Sequence, residues 1–328
     1  MTTYERRIAH YNLLEPVGSG GLGEVFRARD TKIGRTVALK LLPPEITRDP
    51  RQIEALFADA RRASTLSHPA IATLFDLGVA GDIHYLAYEF VSGVPLGNEM
   101  AGRPMNPRRA LEIALQLADA LSNAHAAGLV HGDVRPETIA LTGKGNAKLL
   151  ETGMRRWTRG GRLRRAAAED PGRLPPHAVA VVSYMSPEQA LGSEVDGRSD
   201  VFSLASVTYE MLTGRNPFTS NTVQDSVMRV ISHHPPAPSS VNAEVMRGMD
   251  AILARAMSKD ILKRHESIAA FAAELRGVMS ALEQRRAPVL SSYVMPVDDR
   301  ADKMPLAVVL AGTAGVIVVA AVVWWALS

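Results

Sequence analysis

Residues 129–153 read LVHGDVRPETIALTGKGNAKLLETG, and the alternation of polar and apolar pieces in this stretch decides the fold. Two apolar pieces, Leu129-Val130 and Ile139 to Leu141, frame a polar loop. A Gly/Asn/Lys turn follows, then a short apolar strand, Ala147 to Leu150, ending in Glu151-Thr152-Gly153. The loop sets one carboxylate, Asp133, beside His131 and Arg135, and the strand end supplies a second, Glu151. Acids delivered from neighbouring strand ends suit a site that handles a hydroxyl proton and a metal-bound phosphate.

Upstream, residues 11–42 read as three strands joined by turns. Val17-Gly18-Ser19-Gly20-Gly21-Leu22-Gly23-Glu24-Val25 has the form G-x-G-x-x-G-x-V, whose glycines let a hairpin backbone approach phosphates without a Cβ in the way. Alone, the pattern fits a Rossmann turn or a plain hairpin equally well. Val37-Ala38-Leu39-Lys40 then places a lysine at the end of an apolar strand. Arg51 to Ser67 has a helical apolar face (Ile53, Leu56, Phe57, Ala60) and stops at His68-Pro69. Two strands, Ile71 to Val79 and Asp82 to Val91, share a Gly81-Asp82 turn. Pro107 to Ala127 is a strongly amphipathic helix with Gly128 just past its end.

These pieces together resemble the Hanks-type serine/threonine protein kinases, in particular their membrane-bound bacterial group. His131-Gly132-Asp133 stands where that family writes H-R-D, Thr138 where it writes the metal-binding Asn, and Glu151-Thr152-Gly153 where it writes D-F-G. The resemblance implies an α+β, bilobal fold, with a small β-rich lobe over about 11–92 and a larger helical lobe over about 93–285. It implies ATP as ligand, with Val17, Gly18, Ser19, Gly20, Gly23, Val25, Ala38, Lys40, Glu89 and Val91 around it. Lys40 would hold the α- and β-phosphates, Asp133 would orient the accepting hydroxyl, and Arg135 would place a charge near the γ-phosphate. Tyr88 takes the place at the back of the adenine pocket. Asp59 matches the helix acid that pairs with the strand lysine. Glu188, in Ser186-Pro187-Glu188, matches the acid that pairs with Arg264, and Asp200 matches the acid that ties a long buried helix to the catalytic loop.

The departures from the family fall on the chemistry. Glu151 keeps a negative charge but carries it about one methylene further out, and Thr138 offers a neutral hydroxyl in place of an amide carbonyl. Mg²⁺ demands near-octahedral geometry, so displaced ligands matter. At ~10²-fold per lost stabiliser, roughly 2.7 kcal/mol each, the two changes leave little activity. Asp59 is one methylene short of the family's Glu. Gly132 replaces the Arg that reads a phosphorylated activation loop, Val181 falls where the family has the Thr that contacts the catalytic Asp, and Thr152 replaces the family's Phe. The expected function is an ATP-binding, kinase-like protein with weak or absent phosphoryl transfer. The alternative is an active kinase that moves the ATP γ-phosphate to protein hydroxyls with Mg²⁺, and its substrate or partner is a protein the sequence does not name.

The segment Met154 to Arg173 carries seven arginines against Glu169 and Asp170, and its one hydroxyl is Thr158. It reads as a disordered, solvated charge run, with a docking site for acidic lipid headgroups or an acidic partner as the sharper possibility. The chain of 328 residues has a formal net charge of +3, so no nucleic-acid partner is expected. It has no cysteine, which excludes disulfides, thiolate catalysis and cysteine-based zinc sites. Residues 286–305 read as a polar, proline-punctuated linker. Leu306 to Leu327 is apolar and uncharged, and at ~1.5 Å per residue it spans ~33 Å, enough to cross a bilayer. With no signal peptide at the N-terminus, the sequence predicts a single-pass, tail-anchored protein at the cell membrane with the kinase-like region in the cytoplasm.

Overall fold

In the computed structural model, the described residues are 7–20 and 22–286. The 306–327 span and residues 287–305 of the linker before it lie outside them, Arg286 ending a helix that starts at Ile268, and among the described residues no helix is long and apolar enough to cross a membrane.

The small lobe is one antiparallel sheet. Strands β1 (Arg7–Ile8), β2 (Tyr11–Gly20), β3 (Gly23–Asp30), β4 (Thr36–Leu41), β5 (Leu74–Ala80) and β6 (Ile83–Glu89) run in the order β1-β2-β3-β4-β6-β5. The register pairs Val25 with Lys40 and Ala38 with Tyr88, so the glycine-rich hairpin, the lysine and the rear pocket share three adjacent strands. Gly23 (φ +108°) is required: a Cβ there would strike the carbonyl of Leu41. The helix Pro50–Ala63 packs on this sheet through Leu56, Ala60 and Ala63. It starts where the Asp49 side chain accepts from Arg51 N–H, and it ends at Ala63, four residues before the predicted stop.

The large lobe is built on two buried helices. Asn106 caps Pro107–Ala126, with proline in the first turn, and Gly128 in left-handed conformation follows its end. Asp196 caps Gly197–Thr213, and Gly214 (φ +74°) closes it. Their faces meet in one apolar core with Phe202, Phe218 and Phe271. A second sheet, β7 (Gly93–Pro95), β8 (Ile139–Thr142) and β9 (Ala147–Leu149), carries the catalytic loop at its edge. Backbone bonds from Leu149 N–H to the Ala70 carbonyl and from Ala72 N–H to the Leu149 carbonyl (2.8 Å each) tie this sheet to the chain leaving the small-lobe helix.

The arginine-rich segment corrects the expectation of a disordered charge run. Arg159–Glu169 is an α-helix. Thr158 caps it, accepting from Gly161 N–H at 3.0 Å, and Ala167 and Leu163 turn into the large-lobe core. A helix with a buried alanine and a half-buried leucine one turn apart has an apolar face to dock, which composition alone does not reveal.

Candidate active site

Between the lobes lies a cleft of about 380 Å³, within the range of small-molecule sites. Val17, Gly18 and Val25 roof it, Ala38 and Lys40 line its upper wall, and Glu89, Phe90 and Val91 form the edge where the chain crosses between lobes. Leu150 and Glu151 form its floor. A Cβ at Gly18 would meet nothing within 4 Å, so the roof leaves room beside it. Ser19 and Gly20 continue β2 to its end. The Glu89 side chain is engaged by Lys148 of β9 at 2.6 Å. Tyr88 is buried at the rear with its hydroxyl lacking a partner, and burial, with the Glu151 charge beside it, pushes that hydroxyl's pKa up.

Lys40 forms a close ion pair with Glu151, not with Asp59. Asp59 is nevertheless buried, at 5% exposure. Its Oδ2 accepts from Trp157 Nε1 (2.8 Å) and pairs with Arg156 (2.6 Å), and its Oδ1 pairs with Arg62. The expected pairing of Lys40 with Asp59 is therefore absent from this arrangement. The shorter side chain is met by residues of the 154–158 segment, and the longer acid at 151 reaches the lysine instead. Glu151 sits in left-handed conformation (φ +61°), which glycine, asparagine and aspartate adopt more readily than glutamate.

Asp133 is closed off. Arg135 donates to its Oδ1 at 2.8 Å, Thr158 donates to its Oδ2 at 3.1 Å, and only 2% of the residue is exposed. Gly160 covers the same carboxylate so closely that a Cβ on it would collide with Oδ2. The glycine pair 160–161 thus lets the start of a helix lie directly on the acid. Thr138 turns its hydroxyl into the loop. Its hydroxyl is 2.6 Å from the Asp133 carbonyl, which it faces, and it accepts from Arg135 N–H at 3.2 Å within the loop's own turn.

Below the loop the charges are satisfied. Asp200 accepts from the N–H groups of His131 (2.9 Å) and Gly132 (2.7 Å) and meets His125 Nε2 at 2.8 Å. Burial by itself pushes the Asp200 carboxyl up, but the His125 bond, the nearby histidine charges and the Gly132 N–H together hold it below the usual range. Arg264 donates to both oxygens of Glu188 at 2.8 Å. These bonds, with one from Ser199, outweigh burial and hold the Glu188 carboxyl down. His125 and Ser199 are partners that the sequence reading did not assign.

Sequence reasoning also missed what replaces the family's Phe. Thr152 is buried with its hydroxyl unpartnered, and Met154 and Trp157 supply the apolar surface against Leu56, Ala60 and Ala63. The signal was present as two large apolar residues among arginines.

A protein kinase domain model matches residues 11–271. The chain belongs to the protein kinase family. It is 34% identical over 296 residues to the serine/threonine-protein kinase PknB of Mycolicibacterium smegmatis, covering 88% of this chain and 45% of that one. A probable serine/threonine-protein kinase of Streptomyces coelicolor is 36% identical over 265 residues, covering 78% and 38%. The chain thus spans less than half the length of these curated relatives. The solved kinase domain of Mycobacterium tuberculosis PknI, in a double-mutant form, has the same fold, with 24% identity and a TM-score of 0.65 over 85% of this chain and all of that one. The bilobal kinase fold, β-rich above and helical below, is established by these likenesses together with the elements described above.

Proposed function

We propose that this kinase-family protein binds ATP in the cleft between its lobes, that its phosphoryl transfer is weak or absent, and that residues 306–327 hold it at a membrane, with the kinase region in the cytoplasm. The observation that carries the reading is the contrast between the open cleft beside Lys40 and the buried carboxylate of Asp133. Val25 and Ala38 offer apolar walls for a base, and the hinge offers backbone groups. Lys40 holds phosphate oxygens once it leaves Glu151.

The side chains fit magnesium poorly. Thr138 spends its hydroxyl within the loop, and Glu151 brings one carboxylate already paired with Lys40. Among the described residues no three His, Asp or Glu side chains converge as a metal cluster. What Asp133 does for an accepting hydroxyl also requires Thr158 and Gly160 to move off it.

A second reading, an active serine/threonine kinase, is favoured by one observation. The cover over Asp133 is made of side-chain hydrogen bonds, and the Arg156 that anchors it at Asp59 is half exposed, so opening breaks few strong contacts.

ATP at millimolar concentration should raise the melting temperature of the full chain, and Lys40→Met should abolish the rise. No shift in the unmutated protein removes the nucleotide-binding claim. Transfer of labelled phosphate to a generic protein substrate should be no greater than that of Asp133→Asn. Robust transfer lost in that variant would establish the second reading. Deleting residues 306–327 should move the protein from the membrane pellet to the supernatant, and unchanged pelleting would refute the anchor.

A further inference from the structure

Lys40 and Glu151 meet inside the cleft, and both side chains are nearly buried, at 11% and 12% exposure. The carboxylate therefore holds the amine that the cleft offers to a nucleotide's phosphates. Carboxylate and phosphate oxygens make the same kind of charge-assisted bond to an ammonium group, so the two compete for it. Glu151 is an anion tethered beside its target, and tethering gives it a high effective concentration there. Tyr88 lies against the pair. Lys40 Nζ stands 5.2 Å from the centre of the Tyr88 ring, and the buried Tyr88 hydroxyl has no partner. That hydroxyl is a donor for the carboxylate once Lys40 turns to a phosphate.

A divalent cation on the phosphates gains little from this floor. Mg²⁺ requires oxygen ligands in a near-octahedral array and gives up its water reluctantly. Thr138 turns its hydroxyl to the Asp133 carbonyl, 2.6 Å away, and Glu151 is answered by Lys40. Mg²⁺ also cancels phosphate charge that Lys40 would otherwise meet, and it sets a second cation near the amine. The donor set suits an ammonium group and disagrees with a divalent ion.

On the basis that the cleft holds a nucleotide, we propose that Glu151 is a built-in competitor for Lys40, displaced onto Tyr88 by the nucleotide's phosphates, and that the nucleotide is held as the metal-free anion and gains nothing from Mg²⁺.

The test is calorimetric titration of ATP into the full chain in detergent, once with EDTA and once with Mg²⁺ in excess over ATP. Adenosine serves as the phosphate-free comparison. ATP should bind no more tightly with Mg²⁺ than with EDTA. Glu151→Gln should tighten ATP in EDTA about tenfold, the scale of one charge-assisted contact, and leave adenosine unchanged. Tyr88→Phe removes the receiving hydroxyl and should weaken ATP several-fold, again without effect on adenosine. Tighter binding with Mg²⁺ overturns the metal-free assignment. Unchanged or weaker ATP binding in Glu151→Gln overturns the competition, as does an equal gain for adenosine. Unchanged ATP binding in Tyr88→Phe overturns the role of the hydroxyl. ATP that binds in neither medium removes nucleotide binding itself and this inference with it, an outcome distinct from binding that depends on Mg²⁺.

Discussion

Asp200 and Glu188 lie under the catalytic loop, while Asp133 sits in the loop and Asp59 on the small-lobe helix. All four are carboxylates with less than a tenth of their surface exposed, yet their partners differ in kind. The lower pair is held by the large lobe's own framework: loop N–H groups, His125, Ser199 and a bidentate Arg264. The other pair shares one short segment, through Arg156 and Trp157 on Asp59 and Thr158 on Asp133, beside local contacts from Arg62 and Arg135. The lower contacts are part of what makes the lobe fold. The segment's contacts occupy groups that phosphoryl transfer would need, and a shift of about five consecutive residues would remove them from both acids, leaving Arg62 on Asp59 and Arg135 on Asp133.

The largest effect should come from breaking the lower set. Arg264→Met leaves Glu188 buried without its counterion and should cost about 3–5 kcal/mol in urea unfolding at neutral pH. Because the Glu188 carboxyl is held below its ordinary 4.5, the pair's stabilisation is fully present above that value and fades as pH falls through the depressed one. The gap between variant and parent should therefore narrow toward pH 3. A constant gap would mean that the loss is one of packing and not of charge.

A smaller effect should follow above the loop. Trp157→Phe keeps a ring against the small-lobe helix but removes the N–H bond to Asp59. About 1.5 kcal/mol of stability should go. Residues 154–169 should also become the first site of limited proteolysis. If stability and cleavage pattern both stay put, the segment is not latched through Asp59. The smallest effect sets the baseline. Arg276 and Asp119 form an ion pair with both side chains about half exposed, and Arg276→Ala should stay within about 0.5 kcal/mol. A larger loss there would show that burial is not what separates these cases.

The contrast also explains what could be read from the sequence. The glycine hairpin, the Lys40 strand, the two long helices and the order of acids along the chain follow from local patterns: period, caps and turn residues. Partner choice is not local. Whether Lys40 meets Asp59 or Glu151 depends on two side chains differing by one methylene and on a segment more than ninety residues after Asp59. The helix Arg159–Glu169 escaped because arginine density resembles a solvated run. Its cap at Thr158, its glycine pair and its buried Ala167 gain meaning only once there is a surface to lie on. Thr138 looked available because a hydroxyl in sequence carries no direction, whereas in the fold it is turned into its own loop.

Gly132 carries one more consequence. It sits at φ +63° with the stem of Arg155 stacked across the place where a side chain would begin. A bulky residue introduced at 132 would evict Arg155 before it did anything else. The two positions are therefore sterically coupled: a side chain at 132 and the Arg155 stem exclude one another, so a change at the first must be matched by a shift of the segment that rests upon it.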